Sequence, residues 1–449
     1  MPLFRFSESG LFRPDNLSFV MAGLIIFVIA NVVAFSSRYM AGDRNLRRHQ
    51  RSVMLLGACV LLMVFADHLL VLLAGWAAGN LLLVKLMIHK SEWGAARSSG
   101  LLALKAFAIG FLLLVAGFWL LAQSAGTASI HRLNSSQAVE PTMAFSGLFL
   151  VALAAMTQSA AWPFHRWLLS SLNSPTPVSA LMHAGLVNGG GFILVRFAPL
   201  YLSQPFLLHV LFIAGLITAV VGTFWKLLQP DVKRMLACST MGQMGFMLMQ
   251  CGIGLFGPAV SHLCWHGLFK AYLFLGAASV VREKRSIVSA GCPTLLQCFA
   301  AALAGVAGAA AFTLTGDIRF DLRDTGCLMA GLAFMAAAQL ALRLMQTPNN
   351  PLRLFAMPVV GLIAGSLYGF SVRFVDIALG SSNVTQPQPL DVVYGTGFAV
   401  ILMVWIAMNL NFMARIQSHA AWKRLYVAAL NGSQPHPRTV TAIRTGYRY

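Results

Sequence analysis

The chain has 449 residues, of which 58% are hydrophobic and only 10% are charged, and its mean hydropathy is +0.74. One soluble core cannot enclose so much apolar surface, so the composition excludes a soluble globular enzyme and predicts an integral membrane protein. The formal net charge of +19 would suit nucleic-acid binding. The Lys and Arg residues lie between the apolar runs, however, which is typical of a membrane protein.

The apolar runs predict an all-α, polytopic membrane protein with about 13 transmembrane helices, at least one of them broken. Most of the 32 Lys and Arg residues fall on one side if the amino terminus lies outside, so we predict the N-out/C-in orientation. Residues 1–430 are expected to form a single membrane domain. Residues 431–449 are expected to form a basic cytoplasmic tail that is flexible or bound to a partner. The predicted spans are 17–35, 53–66, 68–88, 101–122, 143–172, 177–199, 206–225, 235–254, 257–281, 294–313, 326–342, 354–372 and 393–414.

Motifs that an enzyme would need are missing from the sequence. The seven cysteines form no C-x-x-C pair and fall mostly within spans, where we interpret them as packing residues. No zinc-type spacing of Cys, His and Asp, no nucleophile elbow and no Walker loop is found. We therefore predict no metal site and no catalytic site in this chain, and expect any chemistry to come from a partner.

The fifth span carries the first sign of a broken helix. In Met156–Trp167, M-T-Q-S-A-A-W-P-F-H-R-W, Pro163 removes a backbone donor and is followed by His165 and Arg166. Transporters use such interruptions to present freed backbone groups to an ion path. A simple helix end with an amphipathic turn at the interface explains the pattern equally well.

The sixth span, within Ser174–Pro199, opens with two prolines and carries a single histidine, His183. Ionisable side chains are costly at membrane depth and usually serve ion or proton movement. The N-G-G-G run at 188–191 does not follow a strand, so it is no phosphate loop, and we expect its small residues to allow close helix packing.

The eighth span starts with Pro230 and Asp231, which suit the first turn of a helix. Lys233 follows. It is either an ordinary anchor at the inner surface or, beside His183 and the histidines of the next span, a member of an ion path.

The ninth span contains the strongest signal, because His262, His266 and Lys270 are spaced i, i+4, i+8. This spacing places them along one face of a helix, about 5–6 Å apart, a gap that one water can bridge. Histidine changes charge near neutral pH, and a buried lysine can do so as well. We therefore predict that these residues relay protons, whereas a single histidine in a packed bundle would merely satisfy a neighbour.

Four of these segments together resemble the antiporter-like membrane subunits of respiratory complex I and of multisubunit cation/proton antiporters. They are A-A-W-P-F-H-R-W-L, S-P-T-P-V-S-A-L-M-H-A, P-D-V-K-R-M-L-A-C-S-T-M-G-Q-M-G and H-L-C-W-H-G-L-F-K-A-Y-L-F. The resemblance covers roughly residues 142–285 and implies an antiporter-like fold.

Within that superfamily, P-F-H-R-W-L and H-A-G-L-V-N-G-G-G-F-I-L-V-R-F-A-P resemble the membrane subunit of the Dab-type inorganic carbon accumulation complex. This resemblance implies a large cytoplasmic partner, similar to a β-carbonic anhydrase, that carries zinc. It also implies an inner-membrane location and ion flow that drives CO2 hydration to bicarbonate in that partner. The residues matching the family's proton route are His183, Lys233, His262, His266 and Lys270. We also predict supporting roles for Asp231, Gln158 and His165.

Two positions depart from the pattern of complex I. Ala77 follows Trp76 where those subunits usually have a glutamate, and Gln158 replaces a lysine. A path built on that charged pair is therefore absent, and residues 294–346 show no second lysine-bearing broken helix. A subunit of a complex I-like or cation/proton antiporter assembly and a non-conducting anchor remain alternatives, and the pattern leaves H⁺ or Na⁺ open as the coupling ion.

Overall fold

The structure, a computed structural model, describes residues 10–136, 140–277, 293–345, 352–380, 384–409 and 418–440. Within these ranges the chain is all-α, and isolated bridges are the only β-type pairing. The helices are α1 (Asn16–Tyr39), α2 (Leu46–Phe65), α3 (Leu69–Met87), α4 (Gly94–Ala125), α5 (Ile130–Ser135), α6 (Pro141–Gln158), α7 (Arg166–Leu169), α8 (Thr176–Ala184), α9 (Gly189–Arg196), α10 (Ala198–Leu202), α11 (Pro205–Leu228), α12 (Val232–Gly252), α13 (Phe256–Gly276), α14 (Leu295–Gly316), α15 (Gly326–Met345), α16 (Leu352–Leu379), α17 (Val392–Asn409) and α18 (Ala420–Gly432).

The predicted fold class is confirmed by these helices. Among the described residues, eleven segments are long and apolar enough to cross a membrane, one of them formed by α8 and α9 together. The more polar α12 and α13, of 21 residues each, occupy the predicted eighth and ninth spans. The second span begins at Leu46 rather than 53, because the polar L-R-R-H-Q-R-S stretch continues the helix. The N-out/C-in orientation stays a prediction.

The chain divides into two compact units. Unit 1 comprises the described residues within Met1–Gly252, His262–Val281 and Ala429–Tyr449. Unit 2 comprises those within Ile253–Ser261 and Arg282–Ala428. The expectation of one membrane domain followed by a tail is untested and stays a prediction.

Unit 1 is held together by helices that meet at glycines. A Cβ on Gly215 of α11 would lie 2.6 Å from the carbonyl oxygen of Gly245 in α12, and one on Gly117 of α4 would lie 2.8 Å from that of Gly147 in α6. Both pairs therefore have nearly touching backbones, the packing that small residues permit between membrane helices. This close approach sets the position of α12, which carries part of the candidate site.

Unit 2 is built on the same principle. A Cβ on Gly308 of α14 would lie 2.5 Å from Ala337 Cβ in α15 and 3.1 Å from Gly361 O in α16. Helices α14 and α15 run without interruption over Leu295–Gly316 and Gly326–Met345. Each of these two spans is therefore one continuous helix.

The described part of the predicted tail is attached to unit 1. Gln229 Nε2 donates to Ser433 Oγ at 2.8 Å, His436 N to Ser170 Oγ at 2.9 Å, and Asn173 Nδ2 to the carbonyl of Thr439 at 2.8 Å. These bonds fix residues 433–439 against the ends of α7 and α11, so this part of the tail is bound to its own chain.

Candidate functional site

The fifth span is broken, as predicted from Pro163. Helix α6 ends at Gln158, a turn that includes the cis peptide bond Trp162–Pro163 follows, and the chain resumes as α7 at Arg166. Trp167 Nε1 donates to the carbonyl of Thr157 at 3.0 Å and closes the turn. Since His165 packs against Trp225 of α11, with ring centroids 4.8 Å apart, it lies in the break and not beside the other histidines.

The sixth span is also broken, which corrects the expectation of one continuous helix at 177–199. Helix α8 ends at Ala184, residues Leu186–Asn188 form one 3₁₀ turn, and α9 starts at Gly189. Close packing of the glycines is found as expected, since a Cβ on Gly191 would lie 2.9 Å from Met247 Sδ. The sequence pattern predicted the packing but not the change of helix type. That change leaves backbone carbonyls at the break without a partner in the helix, so that side chains can bond to them.

His183 and Lys270 belong to one buried hydrogen-bond network. His183 Nδ1 lies 3.1 Å from Thr240 Oγ1, Thr240 Oγ1 donates to the carbonyl of Leu236 at 3.0 Å, and Lys270 Nζ donates to the same carbonyl at 3.4 Å. The His183 ring also stacks on Phe274 at 4.2 Å between centroids. Only 1% of His183 and 0% of Lys270 is exposed, so bulk water does not reach these groups.

The two histidines of α13 lie near this network, and together they form what we call the polar row: His183, His262, His266 and Lys270. The rings of His262 and His266 are nearly parallel, at 12°, with centroids 6.1 Å apart. The Nε2 atoms of both rings are buried and have no hydrogen-bond partner among the described residues. The predicted stripe on α13 is therefore present, and α8 adds His183 to it.

Asn188 connects the break in the sixth span to the polar row. Its Nδ2 donates to the carbonyls of Ala184 and Leu263 at 3.0 and 3.3 Å, and its Oδ1 lies 3.1 Å from His266 Nδ1. Close approach is possible because α13 carries Gly267, whose Cβ would already lie 3.0 Å from Ala184 O.

Asn188 also lines a cavity of about 50 Å³. Its walls are mainly apolar side chains of α1, α2 and α8, with Trp76, Asn80 and Gln158 among the polar residues that line it. Gln158 and Asn80 pair their amides, and Gln158 Nε2 also donates to the carbonyl of Leu186 in the 3₁₀ turn at 3.2 Å. Gln158 thus lies at the break, and the side chain with which it pairs is the neutral amide of Asn80.

The remaining predicted residues lie at the start of α12. Lys233 is half-buried in its first turn, and the exposed Asp231 accepts from Arg234 N at 2.9 Å, as a capping residue does. Within the described residues, no group of three or more His, Cys, Asp and Glu side chains is arranged to hold a metal ion.

The far end of α9 is fixed by an ion pair. Arg196 Nη1 pairs with Asp15, and Nη2 donates to Ser18 Oγ at 3.0 Å and to the carbonyl of Val64 at 2.9 Å. Burial raises the pKa of Asp15, but the Arg196 charge and the hydrogen bonds from Ser18 outweigh it and leave that pKa below its usual value. The broken span is therefore clamped to α1 and α2 at this end.

Thr240, Asn188 and Asn80 were not singled out from the sequence. Their only signal is a polar residue inside an apolar run, which many spans carry without any site. The structure brings His183, His262, His266 and Lys270 together, places Gln158 in the lining of the cavity, and leaves His165 outside the row.

Two interrupted spans and a buried row of imidazoles and an amine, in an all-helical membrane protein, define an antiporter-like membrane subunit. Residues 66–313 match the family described as NADH:quinone oxidoreductase/Mrp antiporter, transmembrane. The chain belongs to this family, since the match covers more than half of its residues. Residues 5–49 match the family described as the N-terminus of chain 5 of NADH-ubiquinone oxidoreductase (complex I).

The relatives include proteins named as probable inorganic carbon transporter subunits, as the sequence resemblance indicated. The probable inorganic carbon transporter subunit DabB1 of Halothiobacillus neapolitanus is 42% identical over 283 residues, which are 62% of this chain and 51% of that protein. DabB of Hydrogenovibrio crunogenus is 33% identical over 359 residues, 78% of this chain and 64% of that protein. The chain thus spans about half to two thirds of the length of these curated relatives.

Two further similarities are to respiratory and antiporter proteins. NADH-quinone oxidoreductase subunit L of Pseudomonas aeruginosa is 34% identical over 284 residues, 62% of this chain and 46% of that protein. The structure of the Mrp complex from Dietzia sp. DQ12-45-1b matches 93% of this chain and 52% of that chain with a TM-score of 0.65 and 22% identity. The second similarity establishes the fold alone.

Proposed function

We propose that this chain is the ion-translocating membrane subunit of an energy-coupled inorganic carbon uptake complex in the cytoplasmic (inner) membrane, and that the ion is the proton. One observation carries the proposal: Lys270 and Thr240 both donate to the carbonyl of Leu236, and His183 joins them through the Thr240 hydroxyl, all in the interior of unit 1. Buried ionisable groups at membrane depth are expensive and are usually kept for ion or proton movement. The names of the DabB relatives supply the substrate class.

The chemistry of the polar row favours the proton over Na⁺. Hard cations take oxygen ligands, usually several carboxylates and carbonyls. The row instead presents imidazole and amine nitrogens, which gain and lose protons. The ion pairs among the described residues join other groups, Asp43 with His89 and Asp15 with Arg196. Among the described residues, Lys270 can therefore change its charge without breaking a salt bridge.

In the proposed mechanism, a proton moves between the polar row and the inner face, where a large cytoplasmic subunit is bound. That subunit is expected to resemble a β-carbonic anhydrase and to carry the zinc at which CO2 is hydrated to bicarbonate. Proton movement through this chain makes the hydration one-way. This chain supplies no catalytic group of its own, and Lys233, at the start of α12, is the proposed last cation before the interior.

The test is growth in air of a cell that lacks carbonic anhydrase, with this chain and its partner expressed together. We expect rescue only when both are present, and loss of rescue on adding an uncoupler. Lys270→Met should abolish rescue, whereas Lys105→Met, which changes an exposed lysine of α4, should leave it intact. Rescue by Lys270→Met, or rescue that survives the uncoupler, would overturn the proposal, provided that both proteins are assembled and zinc is bound.

The second candidate is a subunit of a complex I-like or multisubunit cation/proton antiporter assembly. The 34% identity with subunit L favours it. Deletion should then make growth sensitive to sodium or alkaline pH, and the chain should co-purify with several membrane subunits. Co-purification with one large soluble zinc protein instead would eliminate this candidate.

A further inference from the structure

Asn188 is held in one orientation by the groups around it. Its Nδ2 faces two backbone carbonyls, those of Ala184 and Leu263, at 3.0 and 3.3 Å. A carbonyl only accepts, so turning the amide over would place Oδ1 against two oxygens. The amide of Asn188 therefore presents its oxygen, and not its nitrogen, to His266 Nδ1 at 3.1 Å.

This orientation decides the tautomer of His266. The oxygen of Asn188 accepts only, so Nδ1 of the imidazole must carry a hydrogen and donate it. In the neutral ring, Nε2 is then left with a lone pair. That Nε2 atom is buried and without a hydrogen-bond partner, and the residue is only 3% exposed.

We propose that Asn188 is a positioning residue of the ion path: it holds His266 in the Nδ1–H tautomer, so that Nε2 is the atom that takes up and returns the translocated proton. This inference rests on the proposed proton-translocating function. The proton balance is simple: Nε2 gains one proton to give the imidazolium, Nδ1–H stays bonded to Asn188, and the same proton leaves from Nε2.

The geometry also makes Asn188 an insulator. An amide oxygen is a very weak base, so the Nδ1 hydrogen cannot pass to Asn188 and on into the cavity that Asn188 lines. Proton exchange is therefore restricted to Nε2, and the titratable groups that interact with the ring electrostatically are Lys270, His262 and His183. The 3₁₀ turn that carries Asn188 thus has a function in the row and is more than a packing defect.

The experiment is nitrogen NMR of the full chain in lipid bilayers, with ¹⁵N-labelled histidine and the His266 signals assigned by difference from His266→Phe. The wild-type protein at neutral charge should show a protonated Nδ1 and an unprotonated Nε2. Asn188→Leu removes the acceptor and should shift His266 towards the Nε2–H tautomer, with at least a tenfold fall in uptake.

Asn134→Leu is the matched control, since Asn134 also donates to a backbone carbonyl, that of Arg196, away from the row. It should alter neither the His266 signals nor uptake. An Nε2–H tautomer in the wild-type protein, or an unchanged tautomer in a folded Asn188→Leu, would overturn the inference. The NMR readout does not depend on uptake, so failure of rescue with the Nδ1–H tautomer intact would count against the proposed function alone.

Discussion

Gln158 and Asn80 join their side-chain amides across α6 and α3, each donating to the other at 3.0 and 3.1 Å. Gln158 Nε2 also reaches the carbonyl of Leu186, in the 3₁₀ turn of the sixth span. Amides do not titrate, so this pair cannot carry a proton in the way that a lysine and a carboxylate can. Its physical effect is to satisfy a backbone carbonyl that the helix break leaves free and to keep the two interrupted spans in register.

We therefore expect Gln158→Leu to lower stability more than transport. The substitution leaves the Asn80 amide and the Leu186 carbonyl buried without partners, at roughly 1–3 kcal/mol for each group. Thermal unfolding of the purified protein should show the loss, while uptake per folded molecule stays within about twofold of the wild type. A protein with wild-type unfolding and no uptake would contradict this role.

Thr240→Val is expected to impair transport with a smaller effect on stability. Valine has the same shape, but it removes the oxygen that accepts from His183 and donates to Leu236, which separates His183 from Lys270. We expect uptake to fall at least tenfold in a rate assay with both subunits present. The control is Thr313→Val in unit 2, where the hydroxyl bonds only to carbonyls of its own helix, and it should behave like the wild type.

The ion pair of Asp15 and Arg196 predicts a pH-dependent stability. The pKa of Asp15 is lowered in the folded protein, so its contribution is fully present above the pKa of an unfolded aspartate and is lost as pH falls through the lowered value. Asp15→Asn should lower the free energy of unfolding by roughly 1.5–3 kcal/mol near pH 7, because Arg196 loses its charged partner.

The measurement is the difference in unfolding temperature between the wild type and Asp15→Asn from pH 7 downward, which should shrink towards zero in acid. Glu92→Gln, which alters an exposed carboxylate between α3 and α4, should show no such difference at any pH. A difference in unfolding temperature that stays constant with pH would mean that the charge of Asp15 does not stabilise the fold.

Much of this fold follows from composition and spacing. Apolar length predicts where the spans lie, since the bilayer requires about 20 residues of helix, and Pro163 marks the fifth-span break because it removes a donor. The i, i+4, i+8 spacing of His262, His266 and Lys270 places them on one face in the sequence and in the structure. Periodicity within one helix is enough for such predictions.

Contacts between helices could not be predicted in the same way. The break at Leu186–Asn188 has no proline, and its glycines are equally suited to close packing within an unbroken helix. Thr240 and Asn80 acquire their roles only from residues that are 57 and 78 positions away in the chain, His183 and Gln158. A single polar residue in an apolar run does not reveal such a partner.

The close contact between α11 and α12 gives the last prediction. Helix α12 carries Thr240 and the Leu236 carbonyl, and a Cβ on Gly215 of α11 would lie 2.6 Å from both Gly245 O and Met249 N. Backbone atoms cannot move aside as a flexible side chain can, so Gly215→Ala must push α12 away from α11. We expect the free energy of unfolding to fall by roughly 1–3 kcal/mol, as at other overpacked sites, and uptake to be slower because the polar row is displaced.

Gly23→Ala in α1, whose Cβ would meet nothing within 4 Å, is the matched control and should leave both the free energy of unfolding and the uptake rate unchanged. Equal unfolding temperatures for the two variants would show that α11 and α12 are not in this contact, and that the position of Leu236 does not depend on it.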